Sequence, residues 1–369
     1  MTNSLARMRS YASEAASFAP AVPKTPRAGK ILAASAAALA AAALYNTYRT
    51  RRVERDHPPG GQFVSVDGVR LHYLEAGKGP PVVLIHGNVV TAEDWVMSGV
   101  FDRIARNHRV IAFDRPGYGY SDRPQGSMWT AARQADLLRQ ALERLGIERP
   151  VVVGHSWGTL VALELALGDA ASGLVLLGGY YGPSVRADVP LVAPPAIPVL
   201  GDVLRYTVSP LMGAALLPLN IKAMFAPLDV PERFSREFPH GFPVRPSQIR
   251  AESQDAVTMV PGVVGMSGRA RDLDIPITIM AGTKDRIVDH EGHAEWFHGQ
   301  IPGSELQLVP GAGHMVHYAV PDQVADAIDG VSERAGVPPN VTRHVMSGVG
   351  RHTAHILPDQ RNPEPELLR

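Results

Sequence analysis

The segment 151–167 constrains the fold of this chain more than any other part of the sequence. A run of three valines leads into Gly154-His155-Ser156-Trp157-Gly158, and an apolar stretch of helix-forming residues follows directly. A sharp turn between a buried strand and a helix strains the backbone of its central residue, and glycines beside it let the strand and helix approach closely. The pattern predicts a nucleophile, Ser156, at the positive N-terminal end of a helix.

Seven other apolar or alternating runs indicate further β-strands. They cover 63–66, 71–74, 82–85, 110–113, 174–177, 277–280 and 306–309, and 151–153 completes the set. The first two flank Asp67-Gly68, which is typical of a hairpin turn. Helical stretches such as 130–145 separate the later strands. This alternation predicts an α/β fold, a mostly parallel sheet of about eight strands with helices on both faces.

Charge and composition exclude several classes of function. The chain has 36 Lys and Arg residues against 36 Asp and Glu residues, so it lacks the basic surplus of a nucleic-acid-binding protein. Cysteine is absent, which excludes disulfides, thiolate zinc sites and a cysteine nucleophile. No Gly-x-Gly-x-x-Gly follows a strand and opens a helix. We therefore expect neither a metal ion nor an organic cofactor.

The stretch 182–262 interrupts the alternation of strands and helices. It contains 13 prolines and many large apolar residues. Because proline at this density interrupts helices, short helices such as 199–207 and 209–217 are expected. We predict a cap inserted between the sixth and seventh strands of a core formed by 61–181 and 263–330. The cap should form an apolar substrate pocket without contributing a catalytic residue, and substitution of Leu216 or Phe225 should change chain-length preference.

Two loops beyond predicted strands carry the groups that a reactive serine needs. A serine hydroxyl requires a base, and the base requires an orienting carboxylate. The strand 277–280 is followed by a loop with Asp285, and the strand 306–309 by a loop with His314. The carboxyl ends of parallel strands meet at one edge of the sheet. Ser156, Asp285 and His314 are therefore expected to lie together.

With this order of serine, aspartate and histidine, the sequence resembles the α/β-hydrolase superfamily. The resemblance covers about residues 62–330 and includes the loop Asp114-Arg-Pro-Gly-Tyr-Gly-Tyr-Ser121. It implies that Ser156 is the nucleophile, Asp285 the acid and His314 the base. The other customary position for the acid follows the sixth strand, where 178–182 contains no carboxylate.

The resemblance also assigns an oxyanion hole to two backbone amides. One belongs to Trp157, the residue after the nucleophile, and the other to Asn88 in a loop similar to the His-Gly-x loop of the superfamily. The side chain of Asn88 either contacts substrate or caps the following helix, and the sequence leaves both open. His86 and Gly87 are expected to be structural.

The resemblance implies a serine hydrolase that cleaves an ester or related acyl bond of an apolar small molecule through an acyl-enzyme. Cofactor-free haloperoxidases or perhydrolases and carbon–carbon bond hydrolases of this superfamily also use serine, so they remain alternatives. A non-catalytic binding protein is a third. Epoxide hydrolases and haloalkane dehalogenases use an aspartate nucleophile, and Ser156 occupies that position here.

The two ends of the chain differ from the core. Residues 1–60 carry nine basic and three acidic residues, and an uncharged, alanine-rich run covers 31–48. As a helix this run spans roughly 27 Å, slightly less than a hydrocarbon core of about 30 Å. A single-pass membrane anchor is our first interpretation, and a cleaved signal peptide or a soluble helix, hence a secreted or cytoplasmic protein, are the alternatives. The polar segment 331–369 is expected to be partly disordered.

Three histidines outside the expected triad are not expected to take part in catalysis or metal binding. The spacing of His290 and His293 differs from the His-Glu-x-x-His pattern of zinc enzymes. We therefore expect these two residues at a solvated helix start. His317 is expected at the surface, near the base.

Overall fold

The computed structural model describes residues 26–182, 184 and 189–336 of the chain. Within these residues, eight strands form one sheet. They are β1 (Gln62–Val66), β2 (Val69–Ala76), β3 (Pro81–Ile85), β4 (Arg109–Phe113), β5 (Val151–His155), β6 (Gly173–Leu177), β7 (Ile277–Gly282) and β8 (Glu305–Val309). Each contains its predicted run and extends it by at most two residues at either end, so the predicted strands are confirmed.

The strands follow the order β1-β2-β4-β3-β5-β6-β7-β8 across the sheet. β1 pairs antiparallel with β2 around Asp67-Gly68, β2 pairs antiparallel with β4, and all remaining pairs are parallel. The strand β5 lies near the centre, between β3 and β6. All five of its residues are buried, which explains why it reads as a continuous apolar run rather than an alternating one.

Helices cover both faces of the sheet, as predicted. The first helix, α1 (Pro26–Asp56), contacts the cap. The helices on the sheet before the cap are α2 (Glu93–Met97), α3 (Val100–Ile104), α4 (Ala131–Arg144) and α5 (Gly158–Leu167). After the cap they are α11 (Trp296–His298), α12 (Val316–Ala319) and α13 (Pro321–Arg334). Along β3, Val83 and Ile85 pack on the face that holds α4 and α5, whereas Val82 and Leu84 pack on the face that holds α13. Alternate residues of one strand therefore serve two hydrophobic cores.

The cap contains longer helices than its proline content predicted. Its elements are α6 (Val189–Val192), a 3₁₀ turn (Pro194–Ala196), α7 (Leu200–Tyr206), α8 (Val208–Phe225), α9 (Glu232–Glu237) and α10 (Pro246–Ser267). Pro218 lies inside α8 and Pro261 inside α10, so the expectation of short helices was wrong there. A proline removes one helical hydrogen bond. Burial of one face of each helix, with residues such as Ile221 and Met259, offsets that loss.

Two predicted boundaries fall inside helices of the structure. The predicted end of the cap at 262 falls inside α10, which continues to Ser267. The predicted polar tail begins at 331, whereas α13 continues to Arg334, and Val331 is fully buried. Residues 337–369 lie outside the described part of the chain, as do 1–25. At the other end, the apolar run 31–48 lies within the long helix α1.

Candidate active site

Ser156 occupies the sharp turn between β5 and α5. Its backbone φ is +52°, in the left-handed region that side chains disfavour, and its N–H donates to the carbonyl oxygen of Leu177 on β6 at 2.8 Å. Gly158 makes the turn feasible, because a Cβ there would lie 2.5 Å from the carbonyl oxygen of Ile85. The turn thus holds the serine in a fixed, strained position above the sheet.

The structure brings together the three side chains of the expected triad. His314 Nε2 lies 2.9 Å from Ser156 Oγ, and His314 Nδ1 lies 2.8 Å from Asp285 Oδ2. The second carboxylate oxygen of Asp285 accepts hydrogen bonds from the N–H groups of Ile287 and Val288, at 2.8 and 3.0 Å. An Nδ1–H that donates to Asp285 leaves Nε2 free to accept the serine proton. The geometry therefore suits nucleophilic attack by Ser156.

His155 holds the base from behind, a role that the sequence did not reveal. Its Nε2 donates to the backbone carbonyl oxygen of His314 at 3.1 Å, and the two rings are 5.0 Å apart. Burial, together with the neighbouring His317 and His314, keeps the pKa of His155 well below its ordinary value of 6.5. A neutral His155 places no positive charge beside the imidazole of His314.

The loop after β3 lies directly against Ser156. A Cβ on Gly87 would be only 3.0 Å from the Cβ of Ser156, so glycine permits this approach. Among the described residues, nothing accepts a hydrogen bond from the backbone N–H of Asn88 or of Trp157. Both amides are thus available as donors beside Ser156, where an oxyanion would need them.

The side chain of Asn88 does not cap α2, one of the two roles considered from the sequence, because Ala92 stands at the cap position of that helix. Its Oδ1 accepts a hydrogen bond from Arg115 Nη2 at 2.7 Å and lies 2.9 Å from the hydroxyl of Tyr118. The side chain therefore connects the loop to Arg115 and Tyr118, and its contact with substrate stays a prediction.

Arg115 makes several hydrogen bonds that hold the loop after β3 in place. It is fully buried, and it donates to the carbonyl oxygens of His86 and Gly87 at 2.9 and 3.1 Å. Its Nη1 lies 2.6 Å from Asp255 Oδ2 on the cap helix α10. One guanidinium thus connects the oxyanion loop to the cap. The sequence contained Arg115 within the loop 114–121, but its partner Asp255 lies 140 positions away, and no local pattern predicts their pairing.

His86 and Gly87 have the structural roles that were expected. His86 Nδ1 donates to the carbonyl oxygen of Gly87 at 2.7 Å, and Nε2 accepts from the N–H of Arg115 at 2.9 Å. Burial, followed by the charge of Arg115, lowers the pKa of His86 to about 4. The ring is therefore neutral and shapes the loop.

Two expectations about other histidines were wrong. His293 is buried, and its Nδ1 accepts from the N–H groups of Tyr181 and Gly182 at 3.2 Å, so it ties the loop after β6 to the helical turn Glu291–Glu295. His317 is also fully buried and pairs with Asp94 at 2.8 Å. Both rings satisfy partners distant in sequence, which explains why local polarity suggested surface positions.

Within the described part of the chain, Asp94, His155 and His317 form a group of side chains of the types that bind metal ions. Each offers one ligand-type atom, and these atoms lie within 4.8 Å of one another. The Nε2 atoms of both histidines already have protein partners, which leaves the two Nδ1 atoms without any. The cluster is enclosed between α2, β5 and α12.

A cavity of about 210 Å³ lies between the cap and the oxyanion loop. Val89, next to Asn88, lines one part, and cap residues such as Leu191, Met212 and Leu216 line another. Phe225 is not among the lining residues. It is buried against Phe234 and Tyr318, so its substitution should weaken the cap rather than change chain-length preference.

Comparisons with known proteins agree with this architecture. Residues 80–319 match the family model described as alpha/beta hydrolase fold. An uncharacterized protein of Mycobacterium tuberculosis is 30% identical over 293 residues, which cover 74% of this chain and 81% of the relative. Haloalkane dehalogenase 2 of the same organism is 25% identical over 272 residues, covering 70% and 90%. A solved esterase from Rhodococcus sp. ECU1013 has a TM-score of 0.57 at 25% identity, covering 74% of this chain and 98% of the esterase.

Proposed function

Since the chain belongs to the α/β-hydrolase family, we propose that it is a serine hydrolase that cleaves an ester or related acyl bond of an apolar small molecule. The observation that carries this proposal is the line of hydrogen bonds from Ser156 through His314 to Asp285, at 2.9 and 2.8 Å. Relatives in the family include both an esterase and a dehalogenase. A serine hydroxyl at the nucleophile position favours acyl transfer.

In the first half of the reaction, Ser156 Oγ attacks the acyl carbon while His314 Nε2 takes the hydroxyl proton. The carbonyl oxygen becomes an oxyanion, which the N–H groups of Asn88 and Trp157 stabilise. Asp285 holds the imidazole in the required tautomer and stabilises the imidazolium. The tetrahedral intermediate then collapses, the alcohol leaves with the proton from His314, and the acyl group remains on Ser156.

In the second half, water attacks the acyl-enzyme. His314 Nε2 removes a proton from the water, and the same two amides stabilise the second oxyanion. Collapse of this intermediate breaks the bond to Ser156 Oγ, which recovers its proton from His314. The products are the carboxylic acid and the free enzyme, and no external cofactor enters either step.

The cavity beneath the cap favours an apolar acyl group. Its volume of about 210 Å³ suits a short to medium hydrocarbon chain, and residues such as Leu216 and Leu217 line it. Leu216→Ala is expected to widen the cavity and move the preferred ester toward longer chains.

We also propose that α1 anchors the enzyme in a membrane. Its most apolar window of 18 residues has no buried residue, and the exposed Tyr45 and Tyr48 precede Arg49, the arrangement of an interfacial belt. Asn46 on the same helix donates hydrogen bonds to the cap, which favours a retained helix over a cleaved signal. Fractionation should find the full chain with membranes and a chain that begins at Gly60 in the soluble fraction.

A fluorophosphonate probe tests the catalytic proposal, because it reacts with an activated serine. We expect the full chain to be labelled and Ser156→Ala to remain unlabelled at equal folding, as judged by circular dichroism. A panel of esters from acetate to laurate, with a ring-cleavage diketone and a peroxide-dependent halogenation assay beside it, separates the esterase from the alternative serine chemistries. An unlabelled wild-type chain without turnover on any of these would contradict the proposal.

A further inference from the structure

The cap exposes an unusual number of large apolar side chains. Of the 26 large hydrophobic residues that are exposed in the described part of the chain, 12 lie between 191 and 219 and six more lie on α1. We call the first group the outer cap face, represented by Leu191, Val199, Leu200, Met212, Leu216 and Leu219. A soluble protein rarely exposes so much apolar surface in one place, and such patches mark interaction sites.

Charges are scarce over the same part of the cap. The stretch 189–225 contains three charged residues, Asp202, Arg205 and Lys222. Asp202 and Arg205 pair with each other at 2.6 Å, and Arg205 is 5% exposed. The helix α8 is, beside α1, long and apolar enough to cross a membrane by length and composition. This chemistry fits a hydrocarbon environment better than a polar protein partner.

The long helix α1 is fixed to this same surface. Asn46 Nδ2 donates to the carbonyl oxygens of Tyr206 and Thr207, at 2.9 and 2.8 Å, where α7 joins α8. Further along, Glu54 pairs with Arg245 at 3.0 Å. The helix therefore leaves the protein at Asn46, beside the outer cap face, and its apolar half extends beyond.

This attachment determines how far the cap lies from the surface of a bilayer. If the uncharged run enters the hydrocarbon as far as Tyr45, residues 31–45 span roughly 22 Å, so the headgroup region begins near Asn46. Asn46 bonds the backbone where α7 joins α8, so this junction lies at the level of the lipid interface. A hydrophobic helix slightly shorter than the bilayer would draw this surface further toward the lipid.

We propose that the outer cap face lies against the membrane, so that an acyl-chain substrate enters the cavity laterally from the lipid leaflet. This inference rests on the proposed serine hydrolase and its anchor. Leu191, Met212 and Leu216 belong both to the exposed face and to the cavity lining, and Val89 continues that lining to the oxyanion loop. The cavity therefore extends from the exposed face to Val89, which follows Asn88 in the loop that lies against Ser156.

Single-cysteine labelling tests this placement, since the natural chain has no cysteine. Four variants of the full chain, Leu200→Cys, Leu219→Cys, Leu39→Cys and Leu308→Cys, receive an environment-sensitive fluorophore. They are reconstituted in vesicles of phosphatidylcholine and phosphatidylglycerol that contain a lipid-attached quencher. Leu39 reports on the anchor, and Leu308, exposed on the edge strand β8, is the matched control.

Quenching at positions 39, 200 and 219 but not at 308 is the expected result. Quenching at 39 alone overturns the cap inference and leaves the anchor standing. Absence of quenching at 39 contradicts the anchor as well. If the labels at 200 and 219 are not quenched but show energy transfer between two copies of the chain, a second copy covers the outer cap face. That result would overturn the proposal.

Activity gives an independent test. Leu219→Glu places a charge on the outer cap face outside the cavity lining, and it should lower hydrolysis of a long-chain ester embedded in the vesicles by about tenfold or more. Hydrolysis of a short, water-soluble ester should stay unchanged, and Leu308→Glu should affect neither rate. An equal loss on both esters would overturn the membrane role, while labelling of Ser156 by the fluorophosphonate probe would still report on the catalytic proposal.

Discussion

Two histidine–aspartate pairs, whose histidines are three residues apart, have the same N–O distance but use different ring nitrogens, Nδ1 of His314 and Nε2 of His317. His314 lies 2.8 Å from Asp285, and His317 lies 2.8 Å from Asp94. The second nitrogen of His314 faces Ser156 Oγ at 2.9 Å, whereas Nδ1 of His317 has no partner among the described residues. The carboxylate alone therefore does not make a catalytic base. The group at the second nitrogen decides which pair can move a proton.

The second pair, Asp94 and His317, which we call the enclosed pair, joins two segments of the chain. Asp94 lies on α2 and His317 on α12, and Asp94 Oδ1 also accepts the hydroxyl of Tyr318 at 2.7 Å. The ring of His317 packs 4.9 Å from Trp95 and 4.4 Å from His155. The pair thus holds the segment after the base against the helix after the oxyanion loop. The difference between the two pairs predicts that one controls turnover and the other controls stability.

The largest effect should follow removal of the base or the nucleophile. We expect His314→Ala and Ser156→Ala each to reduce turnover of a good ester by about 10⁴–10⁶, with the double variant hardly worse, because the groups act as one unit. Stopped assays with correction for contaminating hydrolases measure these rates. A His314→Ala enzyme that retained a tenth of the activity would show that the two pairs do not differ as proposed.

Asp285→Asn should cost somewhat less, about 10⁴-fold in turnover, because an amide can hold the imidazole in the wrong tautomer. The nucleophile and oxyanion amides remain in place, so substrate binding should change little. The matched variant is Asp94→Asn, which alters the carboxylate of the enclosed pair. Comparable losses in turnover for both variants, measured on equally folded samples, would refute the division of roles.

Substitutions in the enclosed pair should lower the free energy of unfolding. His317→Ala removes the partner of a fully buried carboxylate, and breaking such a pair costs about 3–5 kcal/mol. His317→Gln, which retains a donor toward Asp94, should recover part of that loss. Denaturant titration measures stability, and turnover per folded molecule should remain within about tenfold of wild type. A stable His317→Ala protein without activity would instead place His317 in catalysis.

The sequence predicted the first pair and missed the second for a physical reason. Ser156, Asp285 and His314 each follow a strand with a strong apolar signature, and parallel strands bring their carboxyl ends together. Asp94 and His317 are 223 positions apart, in short helices without a distinctive pattern. The same holds for Arg115 and Asp255, which support the oxyanion loop from the cap. Strand periodicity predicts the sheet and its edge, whereas pairing between loops and cap depends on how helices pack.

A third carboxylate, Glu252 on α10, differs from Asp285 and Asp94 in its surroundings. It is partly buried in the wall of the 210 Å³ cavity, and its side chain accepts a hydrogen bond from Gln248 at 3.3 Å. Burial is the largest cause that raises its pKa, the Gln248 hydrogen bond opposes it, and Asp255 adds to it, giving a value of about 7. Unlike Asp285 and Asp94, Glu252 has no hydrogen bond to an imidazole among residues 26–182 and 189–336.

This raised pKa makes stability depend on pH in a defined direction. Below about pH 4.5 the carboxyl is neutral in both the folded and unfolded chain, so its contribution to stability is fully present. As pH rises through 7, the folded chain must ionise a desolvated group, and stability on the order of 1–3 kcal/mol is lost.

Glu252→Gln stays neutral, so its melting temperature should exceed that of wild type at pH 8 and match it near pH 4.5. Thermal melts of both proteins across this range isolate the effect, because other titrating groups are common to the two. A constant difference at every pH would mean that Glu252 ionises as readily in the folded chain as in the unfolded one.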